Sequence, residues 1–337
     1  MINTAWFIAL AVMLTGYAVL DGFDLGVGSL HLLLGRTPKE RASLVDAIGP
    51  VWNGNEVWLL AAGGSMVVAF PHLYAASFSG FYLALMLVLW LLLLRGLGIE
   101  FRHQIDHELW HEAWDVVFSV ASLLLSLLFG VAVGNVLRGV PLDAEGNFVG
   151  TFALLLNPFS ILGGLFSVAT LALHGAAWTA LKTDGDLQAR ARRFASTLWW
   201  AALLLLAAMV SASFIVRPDF TRNFARYPWV IVFPLGTVAA AFSMKRALGR
   251  RRDLAAFLSS AAFIASILAC VAAGLYPELL PARPGSAHPA LDIYNTAAPP
   301  GSQRTALIIY LIGLMIVIVY LANVYRVWRG KVGGVYH

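Results

Sequence analysis

Apolar residues run along this chain in long stretches separated by short polar connections, without the alternation of apolar and polar positions that a membrane barrel strand would show. A bilayer core about 30 Å thick is crossed by roughly 20 apolar residues in a helix. Nine stretches reach that length: 4–31, 51–70, 74–97, 114–137, 154–181, 194–216, 228–247, 254–276 and 305–328. The pattern predicts an all-α integral membrane protein of about nine transmembrane helices, arranged as two four-helix bundles plus one peripheral helix, in a single polytopic domain over 1–337. The longest connection, from Pro277 to Gln303, holds six of the fourteen prolines and is expected to be an irregular cover.

Composition agrees with this picture. Of 337 residues 60% are hydrophobic and 12% charged, with a mean hydropathy of +0.77. A soluble domain carries about 25% charged residues, so a water-soluble enzyme is excluded. The net charge of +5 resides in short basic runs between apolar stretches, where topology explains it better than nucleic-acid binding, and no nucleic-acid partner is expected. Counted with the helix ends that flank them, the connections after spans 1, 3, 5, 7 and 9 carry 17 Lys and Arg against 6 on the opposite set. That bias predicts an amino terminus outside and a carboxyl terminus in the cytoplasm. Trp6, Trp229 and Trp328 fall near predicted helix ends, as an aromatic belt would. The first twenty residues lack Lys and Arg, which fits an uncleaved first helix. The lone Cys270 excludes an internal disulfide or a Cys-ligated cluster.

Ionisable groups inside spans cost about 2.5–3.5 kcal/mol each at the helix centre, so each needs a partner or a task. Asp21 and Asp24, three residues apart, share one face of the first span. Two carboxylates that close in a low dielectric do not both ionise readily, and one is expected to exchange protons near neutral pH. Asn53 and Glu56 open the second span with the same spacing, and Arg95 closes the third at the same membrane side. Asp21, Asp24, Asn53, Glu56 and Arg95 are therefore expected to converge in the inner half of the membrane, as proton uptake from the cytoplasm requires. The alternative is a buried charge network that only fixes the packing of spans 1 to 3. Ala18, Gly22 and Gly26 form a small-residue ridge at spacing four that admits a close helix neighbour.

Two further signals carry less. His174 lies midway along the fifth predicted span without a second histidine at its depth, so a hydrogen-bonded structural role is expected over haem ligation. His107-Glu108-x-x-His111 matches the zinc-protease pattern. It lies in a charged connection, however, and follows Leu20-Asp21-Gly22 in the reverse of the order that intramembrane zinc proteases use. It reads as a solvated helical loop, with no metal site.

Longer motifs are more specific. Leu20-Asp21-Gly22-Phe23-Asp24-Leu25-Gly26-Val27-Gly28, Trp52-Asn53-Gly54-Asn55-Glu56-Val57-Trp58 and Ala75-Ala76-Ser77-Phe78-Ser79-Gly80-Phe81-Tyr82 resemble the signature stretches of subunit II of cytochrome bd-type quinol oxidases. Gly134-Asn135-Val136-Leu137-Arg138-Gly139-Val140-Pro141 and Leu155-Leu156-Asn157-Pro158-Phe159 resemble further segments of that family. The resemblance spans nearly the whole chain. It implies a bacterial-type inner-membrane protein of the respiratory chain, partnered by a subunit I that carries two b-type haems, one d-type haem and the quinol-oxidising loop. Such a complex reduces oxygen to water with electrons from quinol and builds a proton-motive force without pumping.

By the same resemblance subunit II is haem-free, supports the haem-bearing subunit, and contributes part of a proton-uptake route. Some members hold a quinone or another lipid, and the resemblance leaves room for a small single-span subunit. Asp24, position 53 and Arg95 are the polar positions carried over. Position 53 is commonly aspartate in the family, whereas Asn53 cannot titrate, and Glu56 one turn on is expected to take the proton-carrying role. A proton-coupled secondary transporter is the alternative reading, but the internal repeats and matched broken helices of such transporters are not evident.

Overall fold

The computed structural model describes residues 1–332. Among these the helices follow as α1 Ile2–Leu34, α2 Pro38–Asp46, α3 Trp52–Ala69, α4 Pro71–Gly80, α5 Tyr82–Phe101, α6 Glu108–Arg138 and α7 Phe152–Leu155. They continue as α8 Pro158–Lys182, α9 Gly185–Val216, α10 Arg222–Arg226, α11 Val232–Gly249, α12 Asp253–Leu275 and α13 Pro300–Val327. Eight helices among the described residues are long and apolar enough to cross a membrane. They coincide with eight of the nine predicted spans. The second predicted span forms α3, only 18 residues long, whose opening turns carry Asn53, Asn55 and Glu56 and lower its hydropathy.

Local chemistry sets the boundaries. Thr37 caps α2, its Oγ1 accepting from the Glu40 backbone N–H at 3.2 Å, and Pro38 occupies the first helical turn. Asn157 caps α8 in the same way, accepting from the Ser160 N–H at 3.1 Å ahead of Pro158. Pro71 has no N–H for a continuing helix, so α3 stops at Ala69 and α4 starts afresh. The third predicted span is interrupted at Phe81, and its membrane-length helix begins at Tyr82.

The expected groups of four are α1, α3, α5, α6 and α8, α9, α11, α12, with α13 lying outside against α3 and α1. The two groups meet where α1 and α6 pack on α8. Every residue of α1 from Asp21 to Gly28 is buried. The ridge residue Gly26 faces α8 so closely that a Cβ there would stand 1.9 Å from the Leu171 carbonyl oxygen. Helix α13 buries only Gln303 and Leu321.

The segment expected as an irregular cover contains a small antiparallel pair, β1 Glu278–Leu280 with β2 Leu291–Asp292. Leu280, Leu291 and Ile293 from this segment join Trp6, Phe70 and Leu142 in one apolar cluster at the end of the bundle where α1 begins. Burial of those side chains, rather than strand length, gives the segment its order.

Candidate functional site

At the other end, where α1 and α5 stop and α3 starts, the predicted polar residues meet. Asp21 and Asp24 on α1 and Arg95 on α5 are each 0% exposed. Arg95 Nη1 donates to Asp21 Oδ1 and Oδ2, both at 2.7 Å. Its Nη2 lies 3.7 Å from Glu56 Oε2 on α3, an ion-pair separation longer than a hydrogen bond. The guanidinium carbon also stands 5.9 Å from the centre of the Trp52 ring, within reach of a cation–π attraction. Three helices thus contribute to one charge group.

Asp24 is held differently. Asn55 Nδ2 donates to Asp24 Oδ2 at 2.8 Å, and Oδ1 has no hydrogen-bond partner among the described residues. Asn55 Oδ1 in turn accepts from the Tyr325 hydroxyl of α13 at 2.9 Å. A hydrogen-bonded line therefore runs from the outermost helix to a buried carboxyl.

Of the five residues expected to converge, Asp21, Asp24, Glu56 and Arg95 do so. Asn53 does not. It is exposed and its side chain makes no hydrogen bond among the described residues, because α3 buries the stripe Trp52, Asn55, Trp58, Ala62, Ser65 and Ala69. Two residues along a helix is a rotation of about 200°, so Asn53 and Asn55 point to opposite sides. The apolar spacing around Asn55, through Trp52 and Trp58, is the sequence signal that places Asn55 and not Asn53 on the buried side. Tyr325 had no local signal, since 270 positions separate it from its partner.

A second buried cluster was also missed. His31 Nε2 and Asp115 Oδ1 lie 2.7 Å apart, Arg102 Nε donates to the same oxygen at 2.7 Å, and Arg41 Nη1 is 3.5 Å from Oδ2. This group ties the end of α1 to α2, to the turn after α5 and to the start of α6. Arg41 and Arg102 lie in connections, and His31 and Asp115 at the ends of predicted spans, where charges read as ordinary solvated groups.

The remaining candidates are accounted for locally. His174 Nδ1 is hydrogen-bonded to Ser260 Oγ at 2.6 Å and Nε2 to the Val19 carbonyl at 3.0 Å, while its ring stacks on Phe257 with centroids 4.8 Å apart. His107 precedes α6 and is exposed with Glu108, and the described residues contain no group of three or more His, Cys, Asp or Glu arranged to hold a metal ion.

These features define a multi-pass helical membrane protein with a largely buried charge cluster among its first helices. Residues 2–328 match the family described as cytochrome bd terminal oxidase subunit II. A probable cytochrome oxidase subunit 2 of Haemophilus influenzae is 33% identical, with 96% of this chain and 92% of that protein covered. The cytochrome bd ubiquinol oxidase subunit 2 of Bacillus subtilis is 33% identical over 89% of this chain and 87% of its own length. The cytochrome bd-I ubiquinol oxidase subunit 2 of Escherichia coli is 39% identical over 61% of this chain and 55% of its own. A chain in the structure of bd oxidase from Geobacillus thermodenitrificans shares the fold, with a TM-score of 0.79 at 18% identity over 97% of this chain and 98% of that one.

The chain belongs to the cytochrome bd terminal oxidase subunit II family. It is a subunit of a haem-containing respiratory oxidase, and membership implies a partner subunit I. Both ring nitrogens of His174 are engaged, and His31 Nε2 is paired with Asp115 while its Nδ1 has no hydrogen-bond partner among the described residues.

Proposed function

We propose that this chain is the accessory subunit of a bd-type quinol:oxygen oxidoreductase, supporting a haem-bearing subunit I and helping to take up cytoplasmic protons for reduction of oxygen to water. The names of the relatives, two of them ubiquinol oxidases, favour the quinol reading. The observation that carries the proton-uptake reading is the imbalance around Arg95: its guanidinium pairs closely with Asp21 and lies 3.7 Å from Glu56, while the fully buried Asp24, one turn from Asp21, has no ion pair among the described residues. Asp21 takes the close ion pair. Neutrality then leaves Asp24 and Glu56 as the groups on which protons reside and move, since an unpaired charge is costly at that depth.

Glu56 keeps a side-chain exposure of 22%, while Asp24 has none. In the proposed route Glu56 exchanges protons with the partner or with water at the rim, and Asp24 holds one inside. Under the proposed orientation this end of the bundle faces the cytoplasm, in keeping with the excess of Lys and Arg in its connections.

The test is Asp24→Asn in the purified oxidase. Oxygen consumption with quinol is expected to fall several-fold while the haem spectrum is retained, and wild-type turnover would refute the route. Deletion of the chain should also remove the d-type haem absorption band from membranes; a band that survives at full intensity would argue against the supporting role.

A further inference from the structure

We propose that Tyr325 is a positioning residue for the carboxylate cluster, its hydroxyl holding the Asn55 amide in the orientation that presents a donor to Asp24. This rests on the reading of Asp24 as a proton-carrying group.

The argument begins with the amide. An asparagine side chain has a donor end and an acceptor end, and rotation by half a turn exchanges them. Asn55 is fully buried between Asp24 and Tyr325. Toward Asp24 the Nδ2 end can donate, whereas the Oδ1 end would set one acceptor against another unless the carboxyl carried a proton. From the other side Tyr325 offers a hydroxyl, which can donate to Oδ1 at 2.9 Å. Its donation favours the rotamer seen. With a phenylalanine ring in its place neither end of the amide would be preferred from that side, and Asn55 would follow Asp24 rather than direct it.

The seat of Tyr325 makes this a tertiary device. Helix α13 is lightly packed, with Gln303 and Leu321 its only buried residues among those described. One end is clasped by Gln303, whose carbonyl accepts from Trp6 Nε1 at 3.2 Å and whose Nε2 donates to the Ala298 carbonyl at 3.0 Å. The other end is clasped by Lys182, which donates to the Trp328 carbonyl. Between them Leu321 rests on α3 at Gly54, where a Cβ would meet it at 3.3 Å. The Tyr325 ring stands edge-on to Trp178 with centroids 6.3 Å apart, which restricts its swing. Within this chain α13 contributes little else to the interior. The polar line through Asn55 thus makes the environment of Asp24 depend on the docking of α13.

The experiment compares Tyr325→Phe, Asp24→Asn and the double variant in the purified complete oxidase, by oxygen consumption at saturating quinol across pH, haem content and melting temperature. Tyr325→Phe is expected to lower turnover several-fold and shift its pH profile, with the KM for quinol, haem content and melting temperature unchanged. The double variant should be no slower than Asp24→Asn. Wild-type rate and pH profile in Tyr325→Phe alongside a slow Asp24→Asn would overturn the inference and leave the functional reading standing. Wild-type behaviour of Asp24→Asn would overturn both. A Tyr325→Phe complex that loses haem or melts early would show a structural role, and that too would overturn the assignment.

Discussion

Arg95 offers one nitrogen, Nη1, to both oxygens of Asp21 at 2.7 Å, and keeps Glu56 at the longer distance of 3.7 Å from Nη2. The two carboxyls are thereby unequal although they share a cation. Asp21 is the close counterion, and Glu56 is the looser partner.

Replacing Arg95 by leucine strands Asp21 as a buried charge, and loss of one member of a buried pair costs about 3–5 kcal/mol. The melting temperature of the purified complex is expected to drop sharply in Arg95→Leu. Much of the loss should return in Arg95→Leu/Asp21→Leu, where no charge is left alone. Equal melting of the single variant and the wild type would contradict the pairing.

Glu56→Gln is expected to lower oxygen consumption several-fold near neutral pH, and to do so more than Asn53→Asp raises it. Position 53 is exposed on the far side of α3 from Asn55 and has no polar link to the cluster within this chain. Full turnover in Glu56→Gln from acid to alkaline pH would end the assignment of a proton to that carboxyl.

The α1–α8 contact makes its own prediction. A methyl group at Gly26 would press on the Leu171 carbonyl oxygen, so Gly26→Ala should destabilise by about 1–3 kcal/mol, the usual range for overpacking. Gly63 has nothing within 4 Å of a built Cβ, and Gly63→Ala should leave the melting temperature unchanged or slightly higher. Similar melting losses in both variants would show that the close approach is not what Gly26 serves.

Outside the spans, Glu40 gives a pH dependence of known sign. Partial burial works to raise its carboxyl, but the Arg190 guanidinium at 2.5 Å and the Arg36 backbone N–H at 2.8 Å hold it below its ordinary value. A carboxyl lowered in the folded state stabilises the fold above its unfolded pKa of about 4.3, and that contribution fades as pH falls through the folded value. Between about pH 5 and about pH 3 the melting temperature should therefore fall more steeply for wild type than for Glu40→Gln. Parallel slopes would show that the contact to Arg190 adds nothing.

The site was legible where its residues are close in sequence or unusual for their depth. Asp21, Asp24, Glu56 and Arg95 stand out because hydrocarbon penalises them, whatever they touch. Asn55 is marked only by the stripe through Trp52 and Trp58, whereas its neighbour Asn53 carries the position at which the family commonly has aspartate. The His31, Asp115, Arg102 and Arg41 cluster escaped notice because charges near helix ends are cheap, and nothing local separates a solvated one from a buried one.

Helix class, eight of the nine expected spans and the end of the bundle that gathers charge were determined by the sequence alone, since each depends on the apolar length of a segment or on residues a turn apart. Which polar groups touch was decided only in three dimensions. That outcome depends on how each helix is rotated about its axis and on contacts such as Tyr325 with Asn55, whose partners are far apart along the chain and whose pairing no local pattern records.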